Sequence, residues 1–398
     1  MTSTPTIDTK ELVELTQALI AIESHENAKG REARISQYLL DWYKDAGIKV
    51  VLQPVEGERA NIIASIPGVG QGPTLMLNGH LDTVPAGGMD RPFDPYVRDG
   101  ILHGRGACDM KGAIAAMSCA LKAIHRSGVR LDGDLYFSGV IGEETGSPGI
   151  RKLIKEGPLS TYAIVGEPTG LKIGLAHKGS DFIEVEIGGK SAHASRPEQG
   201  VNAVSFAAKF IAVIEERLGS SQREKTHPLL GHSSISVGKI VGGEQPPNII
   251  PDHCTIQFDC RYLPDKFPQA LVAELKGILE ELSQDIPGIS YEVCEMEPFS
   301  FFPHPPLETA EEADLPQMLA ASIRRTLGRE GEFIGLPYWT DGAALAQNSV
   351  QTVICGPGDI ARAHGPREEV EVNQLENAAS IYMDMALSLL TAQNKGEE

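Results

Sequence analysis

The strongest constraint on the fold is a rhythm: short segments, apolar at every position, each closed by glycine or proline and separated by helical patterns. Leu75-Met76-Leu77 and Val353-Ile354-Cys355 show no polar alternation, as strands do when helices cover both faces of their sheet. Alternation of such strands with amphipathic helices implies an α/β layer structure. Helices are expected over Arg31–Asp45, Lys111–Arg126, Pro316–Leu327 and Asn373–Leu390, and strands over Lys49–Gln53, Asn61–Ile66, Thr74–Asn78, Asp134–Ile141, Tyr162–Val165 and Thr352–Cys355. Asp8 is placed to cap a first helix whose Leu12, Leu15, Leu19 and Ile22 share a face, with Glu11 three residues on as in a capping box.

Between about Gly179 and Met296 the rhythm changes to β-α-β-β-α-β. Phe182–Ile187, Ser233–Val241, Thr255–Leu263 and Ile289–Glu295 read as strands, and Val201–Leu218 and Pro268–Leu282 as helices. That order is ferredoxin-like, and a unit whose ends return to one neighbourhood can be inserted into a host domain. The expected organisation is an α/β domain of residues 1–178 and 297–398 with an inserted α+β domain of residues 179–296.

The balance of 35 Lys+Arg against 54 Asp+Glu, a formal charge of −19, argues against nucleic acid or an anionic membrane as partner. No apolar run is long enough to span a bilayer. The first ten residues lack the basic-then-apolar layout of a secretion signal, so a cytoplasmic location is expected. The cysteines, Cys108, Cys119, Cys254, Cys260, Cys294 and Cys355, form no C-x-x-C pair and read as small buried hydrophobes in a reducing compartment.

The chemistry is concentrated where strands end. His80, Asp82, Asp109, Glu143, Glu144, Glu167 and His364 each lie in a Gly- or Pro-rich turn, as in Asn78-Gly79-His80-Leu81-Asp82, Gly106-Ala107-Cys108-Asp109, Gly142-Glu143-Glu144-Thr145-Gly146 and Gly166-Glu167-Pro168. Two histidines with several carboxylates and no thiolate pattern suit zinc, cobalt or manganese in a hydrolytic site. His80 and Asp82 are spaced to share a face, with Asp82 placed to orient the imidazole. Asp109 reads equally as a helix cap or as a carboxylate bridging two metals. The adjacent Glu143 and Glu144 can divide into a general base and a ligand. Three carboxylate ligands with a shared hydroxide balance two divalent cations, whereas one cation would leave the pocket anionic.

Taken together these motifs resemble the co-catalytic metallopeptidase family that contains acetylornithine deacetylase, succinyl-diaminopimelate desuccinylase, aminoacylase and the glutamate carboxypeptidases, over essentially the whole chain. The resemblance implies a zinc-exopeptidase-like three-layer catalytic domain with an inserted lid and dimerisation domain. It implies that His80, Asp109 and Glu167 hold one metal and Asp109, Glu144 and His364 the other, with Glu143 as general base and Asp82 orienting His80. It further implies that His193, in Ser191-Ala192-His193-Ala194-Ser195, serves the partner's site in a homodimer, and that Asn248 and Arg261 grip a substrate carboxylate. Two divalent ions, zinc first and cobalt or manganese as alternatives, are the implied cofactors.

The substrate is less legible. Desuccinylases of the family carry Thr-Ser-Asp-Gly-Arg before the last ligand, whereas this chain has Trp339-Thr340-Asp341-Gly342-Ala343, without the cation a succinyl group would want. Gly356-Pro357-Gly358-Asp359 through His364 is similar to acetylornithine deacetylases, and Trp339 would add an apolar wall. The expected activity is hydrolysis of an N-acyl, foremost N-acetyl, amino acid in the manner of acetylornithine deacetylase. A desuccinylase, a broad acylase and a dipeptidase or carboxypeptidase are alternatives. A non-catalytic small-molecule binder on the same fold would be expected to lose Glu143 or a ligand, and every position is filled.

Overall fold

The computed structural model describes residues 5–70, 72–243, 246–265, 268–296 and 303–391. The chain forms two compact units: residues 1–175, 309–335 and 340–398 in the first, and residues 176–308 and 336–339 in the second. The second unit therefore takes in residues 176–178, 303–308 and 336–339, which the sequence assigned to the first. Part of the expected boundary segment after Met296, residues 297–302, lies outside the described residues.

The first unit is built on a mixed sheet in the order Lys49–Glu56, Arg59–Ile66, Leu135–Val140, Leu75–His80, Tyr162–Val165, Gln351–Ile354, Ile173–His177. The four strands from Leu135–Val140 to Gln351–Ile354 run parallel, and antiparallel strands flank them. Alternate residues explain the layers. Ile62, Ala64, Leu75, Leu77, Leu135, Phe137, Ile164 and Val353 join one core cluster with Leu12, Leu39, Ile114, Leu121, Leu319, Tyr382 and Met385. These come from helices Thr9–Ile20, Ala33–Asp45, Lys111–Ser127, Asp314–Leu327 and Val372–Leu390. The opposite face carries helices Pro148–Glu156 and Gly342–Gln347. There Ile354 packs so close to Gly342 that an added Cβ would meet it at 2.7 Å. Burial on both faces is why the strands read as unbroken apolar runs.

Asp8 caps the first helix as expected, accepting from the N–H groups of Lys10 and Glu11. The capping box is only half made, because the Glu11 carboxylate turns away to Lys122 and Arg126. A small three-stranded sheet of Tyr96–Arg98, Ile101–His103 and Glu369–Glu371 was not foreseen. Its strands are only three residues long and, apart from the buried Leu102 and Val370, exposed or half-buried, so no hydrophobic period marks them.

The second unit holds a four-stranded antiparallel sheet ordered Ser234–Gly242, His253–Tyr262, Gly179–Gly188, Ser290–Glu295. Helices Ala203–Glu224 and Pro268–Ser283 cover one face. His253–Tyr262 alternates strictly, with Cys254, Ile256, Phe258 and Cys260 buried against Phe206, Phe210 and Leu279. No helix among the described residues is long and apolar enough to cross a membrane.

Candidate functional site

Parallel strands put their carboxyl ends on one edge, and in an open α/β sheet that edge is where ligands bind. Leu75–His80 ends on His80, Leu135–Val140 leads into the tight turn Glu143–Thr145, and Tyr162–Val165 leads through Gly166 to Glu167. Gln351–Ile354 begins the longer loop that reaches His364. Asp109 arrives from the side, just ahead of helix Lys111–Ser127.

The Asp109 carboxylate is the centre of the cluster. Its Oδ1 lies 2.9 Å from His80 Nε2 and its Oδ2 lies 3.1 Å from His364 Nε2. Glu167 Oε1 approaches His80 Nε2 at 3.6 Å, and Glu144 Oε1 lies 3.0 Å from His364 Nε2. Each half thus contains one imidazole, one glutamate and one oxygen of the shared aspartate. Among the described residues, His80, Asp109 and Glu144 offer ligand atoms that all lie within 4.8 Å of one another. Four ligands set tetrahedrally at zinc distances of about 2.0–2.1 Å lie about 3.3 Å apart, so these separations fit.

The donor chemistry fits as well. His80 Nδ1 is 3.0 Å from the Asp82 carbonyl oxygen, and a carbonyl only accepts, so Nδ1 carries hydrogen and the Nε2 lone pair faces the carboxylates. An imidazole lone pair converging with carboxylate oxygens is satisfied only by a cation or a shared proton. The pull is visible in the acid–base balance. Burial works against a charged His80, yet Glu167, Asp109 and Asp82 outweigh it and hold the imidazole well above its usual range. His364 is raised to about 10 by its bonds to Asp109 and Glu144. Burial pushes Glu143 and Glu167 far above the usual carboxylate range, and neighbouring acids add to the push. Such crowding of buried acids calls for bound positive charge.

Asp82 does more than its position next to His80 implied. Its carboxylate stands 3.6 Å from His80 Nδ1, while the imidazole is held by the Asp82 backbone. The carboxylate instead accepts three backbone N–H groups, Gly142 and Glu143 on Oδ1 at 2.9 and 3.1 Å and Glu144 on Oδ2 at 3.0 Å. It thereby fixes the turn that presents Glu143 and Glu144. Gly142 and Gly146 flank that turn with φ of +74° and +97°, a region where glycine carries no steric penalty. His364 itself has φ of +58°, an unfavourable backbone state of the kind that gathers at functional sites.

Three residues near the cluster escaped the sequence reading. Asp341, 2% exposed, has no hydrogen-bond partner of normal geometry for either oxygen among the described residues, and burial pushes it up to about 7. Arg105 and Glu368 form a buried pair behind Asp109. Only their closeness in sequence to Gly104, Gly106 and His364 could have singled them out. Cys108 is buried with its thiol pushed well up by that burial, which keeps it protonated and unreactive.

The remaining candidates belong to the second unit. His193 is exposed, on the short strand Ala192–His193 that pairs with Ile249–Ile250. Its Nδ1 accepts the Ser195 N–H at 3.2 Å, which leaves Nε2 as the N–H donor of the neutral ring. Asn248 is exposed, and its backbone oxygen accepts the Ala194 N–H at 2.8 Å. Arg261 is half-buried and already engaged by Asp259, at 2.7 Å from Nε and 3.1 Å from Nη2. Trp339 donates to the Pro305 carbonyl and stacks on His304 with ring centres 4.1 Å apart, so its indole is not a bare apolar wall.

An acetylornithine deacetylase from Shigella sonnei is 33% identical over 386 residues, spanning 94% of this chain and 96% of the relative. Aminopeptidase PepT from Bacillus cereus superposes with a TM-score of 0.80 at 23% identity, over 96% of this chain and 99% of that one. A dinuclear metal-binding peptidase, the YXEP protein of Bacillus subtilis, does so with a TM-score of 0.71 at 17% identity, over 96% and 98%. The sequence profile of peptidase family M20/M25/M40 matches residues 76–388, and the chain belongs to that family.

Proposed function

We propose that this protein is a two-metal hydrolase that releases the acyl group from an N-acyl amino acid, with an N-acetyl amino acid of the acetylornithine type as substrate. The observation that carries the reading is the Asp109 carboxylate, with one oxygen toward each of two histidines and a separate glutamate on either side. His80, Asp109 and Glu167 would hold one cation and Asp109, Glu144 and His364 the other, with zinc the first choice for this donor set. Bound there, divalent cations would polarise an amide carbonyl and lower the pKa of water.

The chain's own residues supply the rest. Glu143 projects from the turn clamped by Asp82 and takes the proton of the attacking water, then passes it to the amine as the C–N bond breaks. The Nε2–H of His193 donates to the oxyanion of the tetrahedral intermediate, and in this proposal it does so across a homodimer. The exposed edge strand Ser234–Gly242, with Val237, Ile240 and Val241 in contact with solvent, is unpaired on one side among the described residues, an edge suited to a second copy. Arg261 and Asn248 take the substrate carboxylate. To do so Arg261 must share or exchange its bond with Asp259, so that pair sets the strength of the grip.

The acetyl preference rests on the relationship to acetylornithine deacetylase and on Ala343, which offers no cation to a succinyl group. Chelated protein reloaded with zinc, cobalt or manganese is to be assayed on N-acetyl, N-succinyl, N-formyl and aromatic N-acyl amino acids and on dipeptides. N-acetyl amino acids should show the highest kcat/KM. A preference for dipeptides would replace the deacetylase reading with a peptidase one.

A further inference from the structure

Arg105 and Glu368 form the most deeply buried ion pair among the described residues, each side chain 1% exposed and Nη1 2.6 Å from Oε2. A buried ion pair is tolerable only when its remaining hydrogen-bonding capacity is satisfied. Here Arg105 donates to the carbonyl oxygens of Pro85, Ala86 and Gly365 at 3.2, 3.1 and 3.1 Å. The other Glu368 oxygen accepts two backbone N–H groups, from Cys108 at 3.0 Å and Asp109 at 2.9 Å. The glutamate therefore grips the peptide segment that carries Asp109. Through Gly365, its arginine partner grips the loop next to His364.

The small three-stranded sheet gives this arrangement its register. Glu369 pairs with His103, and the Gly104 N–H donates to the Glu368 carbonyl at 3.2 Å. That pairing lays Glu368 alongside residues 104–109. We propose that Glu368, anchored by Arg105, is a positioning residue: it sets the Asp109 carboxylate relative to His364 and so controls cation affinity without touching cation or substrate. This rests on the two-metal reading of the site. Loss of groups that support metal ligands typically weakens metal affinity by about 10- to 100-fold, and a backbone clamp on a shared ligand should act on both cations.

The test compares two double variants of the full chain, because a single change would strand one buried charge. Arg105→Met with Glu368→Gln removes the ion pair but keeps an amide oxygen able to accept from Cys108 and Asp109. Arg105→Met with Glu368→Met removes the acceptor as well. Chelated wild type and both variants are titrated with zinc by calorimetry, well below their melting temperatures. The Gln variant should bind zinc within a few-fold of wild type. The Met variant should bind about 10- to 100-fold more weakly, with kcat lowered more than KM is raised. Equal zinc affinity in the two variants would overturn the positioning role while leaving the metal reading intact. A wild type that takes up no zinc would overturn the metal reading itself, and this inference with it.

Discussion

In the first unit His80, Asp82, Asp109 and Glu167 are buried, and the carboxylates of Asp82 and Glu368 pin the segments around them through five backbone N–H groups. In the second unit His193 and Asn248 are exposed and Arg261 half-buried, and His193 and Arg261 bond to residues two positions away, Ser195 and Asp259. The first cluster is organised before any ligand arrives. The second consists of side chains at rest on local partners. Preorganised groups provide electrostatic work without rearrangement during reaction, whereas adaptable ones discriminate between ligands. Substitutions should therefore change rate and metal content in the first unit, and substrate binding at Asn248 and Arg261 in the second.

The largest expected effect is metal loss. Chelation should abolish activity, and Asp109→Ala should lose both cations by elemental analysis, whereas His364→Ala should lose mainly one. Full activity in metal-free protein would erase the contrast between the units. Next comes Glu143→Gln, expected to lower kcat by about 10²–10⁴-fold with metal content preserved. Glu144→Gln should instead weaken one cation, and if the two phenotypes were exchanged the assigned roles would be too.

Mixing Glu143→Ala subunits with His193→Ala subunits, each inactive alone, tests whether the second unit serves a partner. Random exchange makes half the dimers mixed, and each mixed dimer then has one intact site, so about a quarter of wild-type activity should return. No recovery, with exchange verified, would place His193 in its own subunit's site. Arg261→Ala should raise KM by about 10- to 100-fold for free N-acyl amino acids, as expected for a lost charge-assisted bond, and much less for their amides. An equal rise for both would make Arg261 a structural partner of Asp259.

The smallest effect concerns a buried acid outside the candidate site. Asp181, 4% exposed, has no hydrogen-bond partner of normal geometry among the described residues. Burial pushes it up to about 7, with Glu295 adding and the Phe182 N–H opposing. A raised folded-state pKa means its contribution to stability is complete below about pH 4 and is lost as pH rises through about 7. Asp181→Asn should therefore melt a few degrees above wild type near pH 8, and the gap should close by about pH 4. A gap independent of pH would remove the carboxylate as its cause.

Period and punctuation did not mark Pro148–Glu156, Ile173–His177 or Gly342–Gln347, but they were enough to place the long helices and most strands of both units, because a strand buried on both faces must be apolar throughout and a strand covered on one face must alternate. Leu75-Met76-Leu77 and Cys254 to Cys260 are the two cases. The sequence also singled out His80, Asp109, Glu143, Glu144, Glu167 and His364, since each follows an apolar run into a glycine or proline turn, but not the buried Asp341 near them. Tertiary structure alone decided what holds them. Asp82 reaches the turn of Glu143 and Glu144 across about 60 residues, and Glu368 reaches Asp109 across 259. Such bonds leave no local pattern, because any carboxylate can accept from any backbone N–H that folding brings within 3 Å or so. The small sheet that sets the Glu368 register was hidden for a related reason: its three-residue strands bury too little apolar surface to write a period into the sequence.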